Sequence, residues 1–363
     1  MHHRRVLTRR PGRQARAPGY GRLGDARGDQ VRLSPLLPKA LYLTVYGIGA
    51  PFLRDPALEV IQKGGLNALV IDLKGDRGYI PYPSALPLAE RVGATKLRTI
   101  ADLMDLAASL KTRGIYLIAR LVVFKDDLLA SARPDWAVRT AGGAVWKDRE
   151  GLAWIDPFHK NAWDYTLSVA EEAAAAGFDE IQFDYVRFPD AVGLVFSQPS
   201  SEATRVQAIT GFLREARRRL ARYNVFTSVD IFGYVCWNRD DTGIGQRIED
   251  LATAVDYISP MLYPSSFQFG IPGHRNPVAA PYDIVRESLR EAKKRTAGSA
   301  VQYRPWLQAF RDYAFDRRHF GGVQIRAQVA GAVDAGASGW LLWSPYNVYS
   351  TDGLLPQQAA AQR

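Results

Sequence analysis

The chain alternates short apolar runs with amphipathic segments eight times, and this repeat constrains its fold more than any other feature. The apolar runs predict strands at 40–46, 67–73, 115–123, 179–184, 224–230, 256–262, 304–309 and 339–343. The amphipathic segments between them predict helices at 56–63, 97–113, 160–177, 203–222, 244–254, 281–296 and 322–335. Such alternation is typical of a parallel sheet covered by helices.

Eight β/α repeats over about 310 residues fit a single (β/α)8 TIM barrel. A doubly wound sheet would show a Gly-rich turn after its first strand, and the stretch "YGIGAPF" lacks the third glycine of that turn. The long segment between the third and fourth strands predicts an enlarged loop. We therefore expect a barrel over residues 39–352, with an N-terminal tail at 1–38 and a C-terminal tail at 353–363.

The N-terminal tail is rich in Arg and Gly and has few apolar residues, which predicts a disordered segment. The net charge of the chain is +10, and residues 1–39 hold ten Lys/Arg against two Asp/Glu. Eight of the ten excess charges therefore belong to the tail. Because the remaining sequence is close to neutral, no nucleic-acid partner is expected for the barrel.

No apolar run has the length of a signal-peptide core or of a transmembrane segment. Cys236 is the only cysteine, so an intrachain disulfide is excluded. As written, the sequence predicts a cytoplasmic protein, whereas export or a cell-envelope location is expected if the N-terminus is wrongly assigned. The oligomeric state is left open.

Three acids end predicted strands, and they are the candidate catalytic residues. Asp72, Asp184 and Asp230 follow the second, fourth and fifth apolar runs. In a TIM barrel the strands end at the face that carries the active site. One strand-end acid often only caps a helix, but three at one mouth favour a site. Glycoside hydrolysis requires two carboxyl groups on either side of the scissile bond.

Asp184 is the predicted nucleophile or stabilising carboxylate, Asp230 the favoured acid/base and Asp72 its rival. Asp184 and Asp230 end adjacent strands, which would bring their carboxyl groups to about 5 to 6 Å, the spacing of a retaining enzyme. Asp72 would stand about 7 to 10 Å from Asp184, as in an inverting enzyme. Retention is therefore the favoured outcome.

Polar and aromatic residues near the strand ends complete the predicted site. Arg120 and Arg187 are expected to hold Asp184 ionised, although structural ion pairing would explain them equally well. Tryptophan and tyrosine rings offer apolar faces to sugar rings. The predicted substrate contacts, besides the two arginines, are Tyr46, Lys74, Tyr263, Gln308 and Trp343. The tryptophans expected near the mouth are Trp136, Trp146, Trp154, Trp237 and Trp343.

Other chemistries lack their residues in this sequence. The five histidines show no metal-ligand spacing, and none ends a strand. The loops "FRDYAF" and "SPYNVYSTDG", after the last two strands, lack a Gly-rich phosphate cradle. The site is therefore expected to use neither a metal nor an organic cofactor.

Several long words of the sequence resemble a bacterial glycosyl hydrolase domain family that was long classed only as a domain of unknown function. They include "ALYLTVYGIG", "NALVIDLKGDRGYIPYPSALPLA", "ARLVVFKDDLLA" and "FDEIQFDYVRFPD". The resemblance covers most of residues 40–350 and implies a barrel related to alpha-amylase-like enzymes, with a role on polysaccharide. Amylase-like barrels usually take their acid from strand five as a glutamate, where this chain has Asp230. Family members commonly carry an export signal or membrane anchor instead of an Arg-rich tail.

Two functions from different classes fit these observations. The first is a glycoside hydrolase that acts on a polysaccharide or oligosaccharide. The alternative is a non-catalytic carbohydrate-binding barrel at the cell envelope, in which the acids would hydrogen-bond sugar hydroxyls. Only the enzyme needs two carboxyl groups at a hydrolytic spacing around an open cleft.

Overall fold

Eight parallel strands form a closed barrel in the computed structural model, which describes residues 37–354. The strands are β1 (Lys39–Leu43), β2 (Ala68–Lys74), β3 (Tyr116–Val122), β4 (Glu180–Asp184), β5 (Phe226–Phe232), β6 (Tyr257–Met261), β7 in two segments (Gln302–Tyr303 and Trp306–Gln308) and β8 (Trp340–Trp343). Each pairs in parallel with the next, and β8 pairs with β1 to close the barrel. The predicted barrel is confirmed, while most of the two predicted tails lies outside the described residues.

Nine helices in the described part of the chain cover the barrel. They are α1 (Pro51–Lys63), α2 (Pro87–Arg91), α3 (Leu103–Thr112), α4 (Asp127–Ala132), α5 (Lys160–Ala175), α6 (Glu202–Leu220), α7 (Ile248–Leu251), α8 (Pro281–Arg295) and α9 (Gly322–Asp334). Side-chain caps begin several of them: Asp102 accepts from the amide of Asp105, and Ser201 forms a capping box with Thr204. None of these helices is long and apolar enough to span a bilayer.

Three predicted helices differ from the structure for local reasons. The helix predicted at 97–113 begins at Leu103, where the side chain of Asp102 caps it. Helix α1 begins at Pro51 rather than at residue 56, because a proline at the first helical position gives up no hydrogen bond. The helix predicted at 244–254 is reduced to the single turn of α7. Asp241 accepts hydrogen bonds from the amides of Gly243 and Gly245, and both glycines have left-handed φ values that a helix does not allow.

The alternation of β4 explains how one strand serves both the core and the site. Ile181 and Phe183 point outward, where Phe183 packs edge-on against Phe212 of α6 with ring centroids 5.3 Å apart. The alternate positions, Glu180, Gln182 and Asp184, are also buried and face the barrel interior. The apolar core therefore lies between strands and helices, and the interior of the barrel is largely polar.

Glu180 and Arg304 form a fully buried ion pair below the mouth. Arg304 Nη2 lies 2.6 Å from Glu180 Oε1, and neither side chain is exposed. Tyr116 donates to Glu180 Oε2 at 3.0 Å, and Ser228 donates to Oε1 at 2.5 Å. The contacts join β3, β4 and β5 to the break between the two segments of β7 and fix these strands relative to one another.

The enlarged loop after β3 is present and extends the mouth. It carries α4 and a short strand, Arg139–Thr140, which pairs with Leu194–Val195 from the loop after β4. Within it, Trp154 packs edge-on against Tyr185, the residue that directly follows β4. The two loops thus form one wall beside the end of β4.

The buried ion pair generates a stability prediction. Replacing Arg304 by Met should lower the free energy of unfolding by about 3 to 5 kcal/mol, because Glu180 would remain buried without its cation. Arg218→Met is the control, since Arg218 pairs with Glu215 on the exposed face of α6 and its loss should change the stability little. Denaturant unfolding of both variants measures the difference. Equal midpoints would show that the interior pair contributes no more than a surface pair.

Candidate active site

The guanidinium of Arg120 joins the three strand-end acids at the mouth of the barrel. Its Nη1 lies 2.6 Å from Asp72 Oδ1 on β2, and its Nη2 lies 2.5 Å from Asp184 Oδ2 on β4. Its Nε also donates to Asp184 Oδ2 at 3.1 Å and lies 3.7 Å from Asp230 Oδ2 on β5. None of the four side chains is more than 9% exposed. One buried cation therefore faces three buried carboxyl groups.

Asp184 is the acid that lines the open pocket at the mouth. Besides its two hydrogen bonds from Arg120, its Oδ1 accepts from the backbone amide of Tyr185 at 2.5 Å. Tyr185 has a φ of 51°, a left-handed conformation that is uncommon for a residue other than glycine. Strained backbone of this kind concentrates at functional sites, and here it directs an amide toward the Asp184 carboxylate.

Asp230 has a different environment from Asp184. Its Oδ1 accepts from Trp306 Nε1 at 2.8 Å, and its buried Oδ2 has no hydrogen-bond partner among the described residues. Burial, followed by the charge of Asp184, raises the pKa of Asp230 well above its ordinary value. The surroundings of Asp230 therefore favour its protonated form, and Oδ2 is the oxygen without a hydrogen-bond partner among the described residues.

Asp72 is buried and both of its oxygens are engaged. Tyr42 donates to Oδ2 at 2.5 Å, and Arg120 donates to Oδ1. Burial raises the pKa of Asp72, although Arg120 and the hydrogen bond from Tyr42 counteract part of that rise. Asp72 does not line the pocket, so it acts on the site through its two partners.

Contacts to the same nitrogen limit the distance between Asp184 and Asp230. Because their Oδ2 atoms lie 3.1 Å and 3.7 Å from Arg120 Nε, those two oxygens are within about 7 Å of each other. This limit includes the carboxyl spacing of retaining enzymes, about 5 to 5.5 Å, and the shortest spacings of inverting ones. The stereochemical outcome therefore stays a prediction.

A pocket of about 200 Å³ opens beside Arg120 and Asp184. Two predicted sugar contacts, Tyr263 and Trp343, line it. Trp343 lies 5.0 Å beneath the guanidinium carbon of Arg120 and stacks on Tyr42 with ring centroids 3.9 Å apart. The remaining lining residues are Tyr185, Arg187, Phe232, Met261 and Trp306. Aromatic faces beside carboxyl groups suit the binding of a sugar ring.

Arg187 lines the same pocket but does not pair with Asp184 as a salt bridge. No carboxylate of the described residues lies within ion-pairing distance of its guanidinium, which instead lies over the rings of Trp154, Tyr185 and Phe232. Of the two arginines expected to act on Asp184, only Arg120 forms a salt bridge with it. Arg187 interacts with Asp184 through its charge at longer range.

Three predicted substrate contacts lie elsewhere. Lys74 is fully buried and paired with Asp126 at 2.8 Å, so its ammonium group holds α4 rather than a ligand. The amide of Gln308 is buried and hydrogen-bonded to Ser265. Tyr46 is exposed and does not line the pocket. None of the three lines the pocket, and their role as substrate contacts stays a prediction.

Sequence reasoning also missed several residues of the site. Trp306 lies two residues before Gln308 on β7, so strand alternation could have placed it on the same face. Tyr42, Tyr185, Phe232 and Met261 carried no signal beyond their positions in or next to predicted strands. Of the tryptophans expected at the mouth, Trp136 instead stacks on His159 and Trp237 donates to Ser288.

Within residues 37–354, no group of three or more His, Cys, Asp or Glu side chains has an arrangement that could hold a metal ion. The three acids at the mouth are arranged around Arg120, whose guanidinium is the cation they face.

The chain belongs to the family described as "Putative glycosyl hydrolase domain", whose sequence model matches residues 40–349. No curated protein matched the sequence. The family match and the barrel together establish a fold of the glycoside hydrolase type.

Solved structures agree with that fold. The glycoside hydrolase domain of PgaB (BpsB) from Bordetella bronchiseptica is 16% identical, with 85% of this chain and 94% of that chain covered and a TM-score of 0.61. Alpha-L-fucosidase isoenzyme 2 from Paenibacillus thiaminolyticus is 16% identical, with 87% and 48% covered and a TM-score of 0.57. A hypothetical protein from Ruminiclostridium thermocellum ATCC 27405 is 36% identical over 52% of this chain and 96% of that chain, with a TM-score of 0.47.

The central position of Arg120 generates a pH-dependent prediction. Arg120→Met should lower the free energy of unfolding at neutral pH by about 3 to 5 kcal/mol, because the buried acids lose their cation. Without that cation the pKa of Asp72 in the folded state rises further, so the deficit should be smallest at acidic pH and grow as the pH rises. Arg120→Lys, which keeps the charge, is the control and should lose less. Unfolding is measured at about pH 4, within the ordinary carboxyl range, and at about pH 7, above it. An equal deficit at the two pH values would contradict this account.

Proposed function

We propose that this member of the glycosyl hydrolase family cleaves glycosidic bonds in a polysaccharide or oligosaccharide. The observation that carries the proposal is the unequal state of two neighbouring acids. Asp184 is ion-paired at the pocket, whereas the pKa of Asp230 is raised by burial and by Asp184. Two carboxyl groups whose surroundings push their pKa values apart are what glycoside hydrolysis uses.

In the proposed reaction Asp230 is the general acid. It transfers its proton to the glycosidic oxygen while the bond from that oxygen to the anomeric carbon breaks. Asp184 forms a bond to the anomeric carbon and stabilises the positive charge that develops there. Asp230, now a carboxylate, then takes a proton from water as that water displaces Asp184. The two displacements return the sugar with retained configuration.

The proton of Asp230 must reach the pocket for this mechanism to operate. Its Oδ2 is buried, but both residues that contact the carboxyl group, Arg120 and Trp306, line the pocket. We infer that substrate binding opens this short path. Asp72 is the rival acid, and its engagement with Tyr42 and Arg120 makes it the weaker choice.

Aromatic residues supply the proposed sugar-binding surface. Trp343 and Tyr263 line the pocket on the side of β8 and β6, and Trp306 lies edge-on to Trp343 with ring centroids 5.4 Å apart. Apolar ring faces beside hydroxyl and indole donors can hold a sugar over the carboxyl groups. This arrangement serves an enzyme and a binding protein equally, so turnover decides between them.

The role of Asp184 is tested by substitution. Asp184→Asn should reduce the release of reducing ends from a responsive polysaccharide by about a thousand-fold or more, since about 4 kcal/mol of transition-state stabilisation is lost. Binding of the same polysaccharide should change little. Asp55→Asn, on the exposed surface of α1, is the matched control and should keep full activity.

Two results would contradict this proposal. An Asp184→Asn variant with a tenth of wild-type turnover would remove Asp184 from the reaction. A wild-type protein that binds a polysaccharide from a broad panel but releases no reducing ends from any of them would favour the non-catalytic carbohydrate-binding barrel.

The choice between Asp230 and Asp72 predicts stereochemistry. With Asp230 as acid/base, proton NMR of the first-formed product should show the anomeric configuration of the substrate retained. Inverted product would favour Asp72 and a water between the carboxyl groups. Full activity in Asp230→Asn would exclude Asp230 whatever the configuration.

A further inference from the structure

The two arginines of the pocket are in opposite electrostatic situations. Arg120 is bound to Asp72 and Asp184 and faces Asp230. Arg187 lines the same pocket, and no carboxylate among residues 37–354 forms an ion pair with it. A partly buried cation that forms no salt bridge is unusual, because burying a charge is unfavourable without a partner.

The surroundings of Arg187 leave one edge of its guanidinium available. The guanidinium carbon lies 4.8 Å from the ring centroid of Trp154, 5.1 Å from that of Tyr185 and 4.7 Å from that of Phe232. Its Nη1 donates to the backbone oxygen of Phe188 at 3.1 Å. Its Nε and Nη2 make no hydrogen bond to any described residue. These two atoms form the fork with which arginine binds a planar anion by two hydrogen bonds.

We propose that Arg187 binds the carboxylate of an acidic sugar, so that the substrate is a polysaccharide or oligosaccharide containing uronic acid residues. This inference rests on the proposed function and specifies its substrate class. The open edge of the guanidinium accepts a carboxylate in a bidentate contact, and the three aromatic rings exclude water and strengthen that contact. The ligand thereby supplies the salt-bridge partner that Arg187 lacks among the described residues.

The pocket suits an acidic ligand on the side of Arg187, whereas Asp184 lines it and is paired with Arg120. An amino sugar would bring a second cation toward Arg187, whereas a uronate would neutralise it. Burial lowers the pKa of Arg187, and the acids near it, Asp184 among them, offset only part of that fall. The same rings hold the guanidinium by cation–π contacts when no ligand is present.

An alternative role for Arg187 would be to stabilise the negative charge of Asp184 across the pocket without binding a ligand. That role would affect neutral and acidic ligands equally, whereas a carboxylate contact affects acidic ligands alone. A comparison of each uronate oligosaccharide with its methyl ester separates the two, because esterification removes the charge and leaves the sugar and linkage unchanged.

The test is calorimetric titration of the full chain carrying Asp184→Asn, so that turnover does not consume the ligand. The probes are oligogalacturonate, oligoglucuronate and oligomannuronate, each beside its methyl ester. At least one free acid should bind about 10- to 100-fold more tightly than its ester, the range expected for a hydrogen-bonded charge pair. Arg187→Met should abolish that difference, and Arg187→Lys should keep part of it.

Arg133→Met is the control, since Arg133 also lies over a tryptophan ring, that of Trp136, but is not among the residues that line the pocket. It should leave the preference for the acid unchanged. Equal binding of every acid and its ester, or a preference that survives in Arg187→Met, would overturn the proposal. Arg187-dependent binding of a sulfated neutral oligosaccharide, with no binding of the uronates, would overturn the assignment to a carboxylate.

Binding is read without catalysis, so the two proposals fail separately. A wild-type protein that binds a uronate through Arg187 but releases no reducing ends would contradict hydrolysis and support the ligand class. Hydrolysis of a neutral polysaccharide, with no preference for acids, would support hydrolysis and contradict the ligand class.

Discussion

The site depends on the contact of one buried guanidinium with carboxyl groups from three strands. Arg120 on β3 binds Asp72 on β2 and Asp184 on β4, and its Nε lies 3.7 Å from Asp230 on β5. Three ionised acids could not be buried together without a cation, because each carboxylate would lose its hydration without gaining an ionic partner. One positive charge cannot neutralise three negative ones. Protonation of one acid would relieve this excess of negative charge, and burial together with the charge of Asp184 raises the pKa of Asp230.

The interior of this barrel is polar at more than one level, which makes the position of its acids unusually well determined. Below the mouth, Glu180 and Arg304 form a second buried ion pair. Between the two pairs, Gln182 donates to Ser259 at 3.2 Å. A polar interior fixes strand positions through directional contacts and holds the groups above it in place. Tyr185, with its left-handed φ, shows that the chain also accepts local strain directly beside Asp184.

The sequence predicted the architecture well because the barrel follows from periodicity, which is local. Eight strands and the face of each residue on β4 could be read from alternation alone. The sequence also indicated that Asp72, Asp184 and Asp230 end the second, fourth and fifth strands. The helix expected at 244–254 failed because Asp241 turns the backbone at Gly243 and Gly245, and a hydropathy pattern does not contain that contact.

The assignment of individual contacts was less predictable, since a strand-end position does not reveal which groups are already engaged. Lys74 is held by Asp126 and Gln308 by Ser265, and both partners are distant in sequence. Arg120 and Arg187 were both expected to act on Asp184, yet only Arg120 forms a salt bridge with it. Trp306 was not predicted because it lies two residues before the end of its strand. From that position its indole donates a hydrogen bond to Asp230.

The unequal protonation of Asp184 and Asp230 is the central claim, and carbon-13 NMR of aspartate carboxyl groups tests it most directly. The signal that disappears in Asp230→Asn identifies Asp230 in spectra of the full chain recorded across a pH series. Its midpoint should lie well above the ordinary aspartate pKa of about 3.9, and should fall in Asp184→Asn, where the neighbouring charge is gone. An Asp230 signal that titrates at or below the ordinary value would show that this acid is already ionised and would contradict the account.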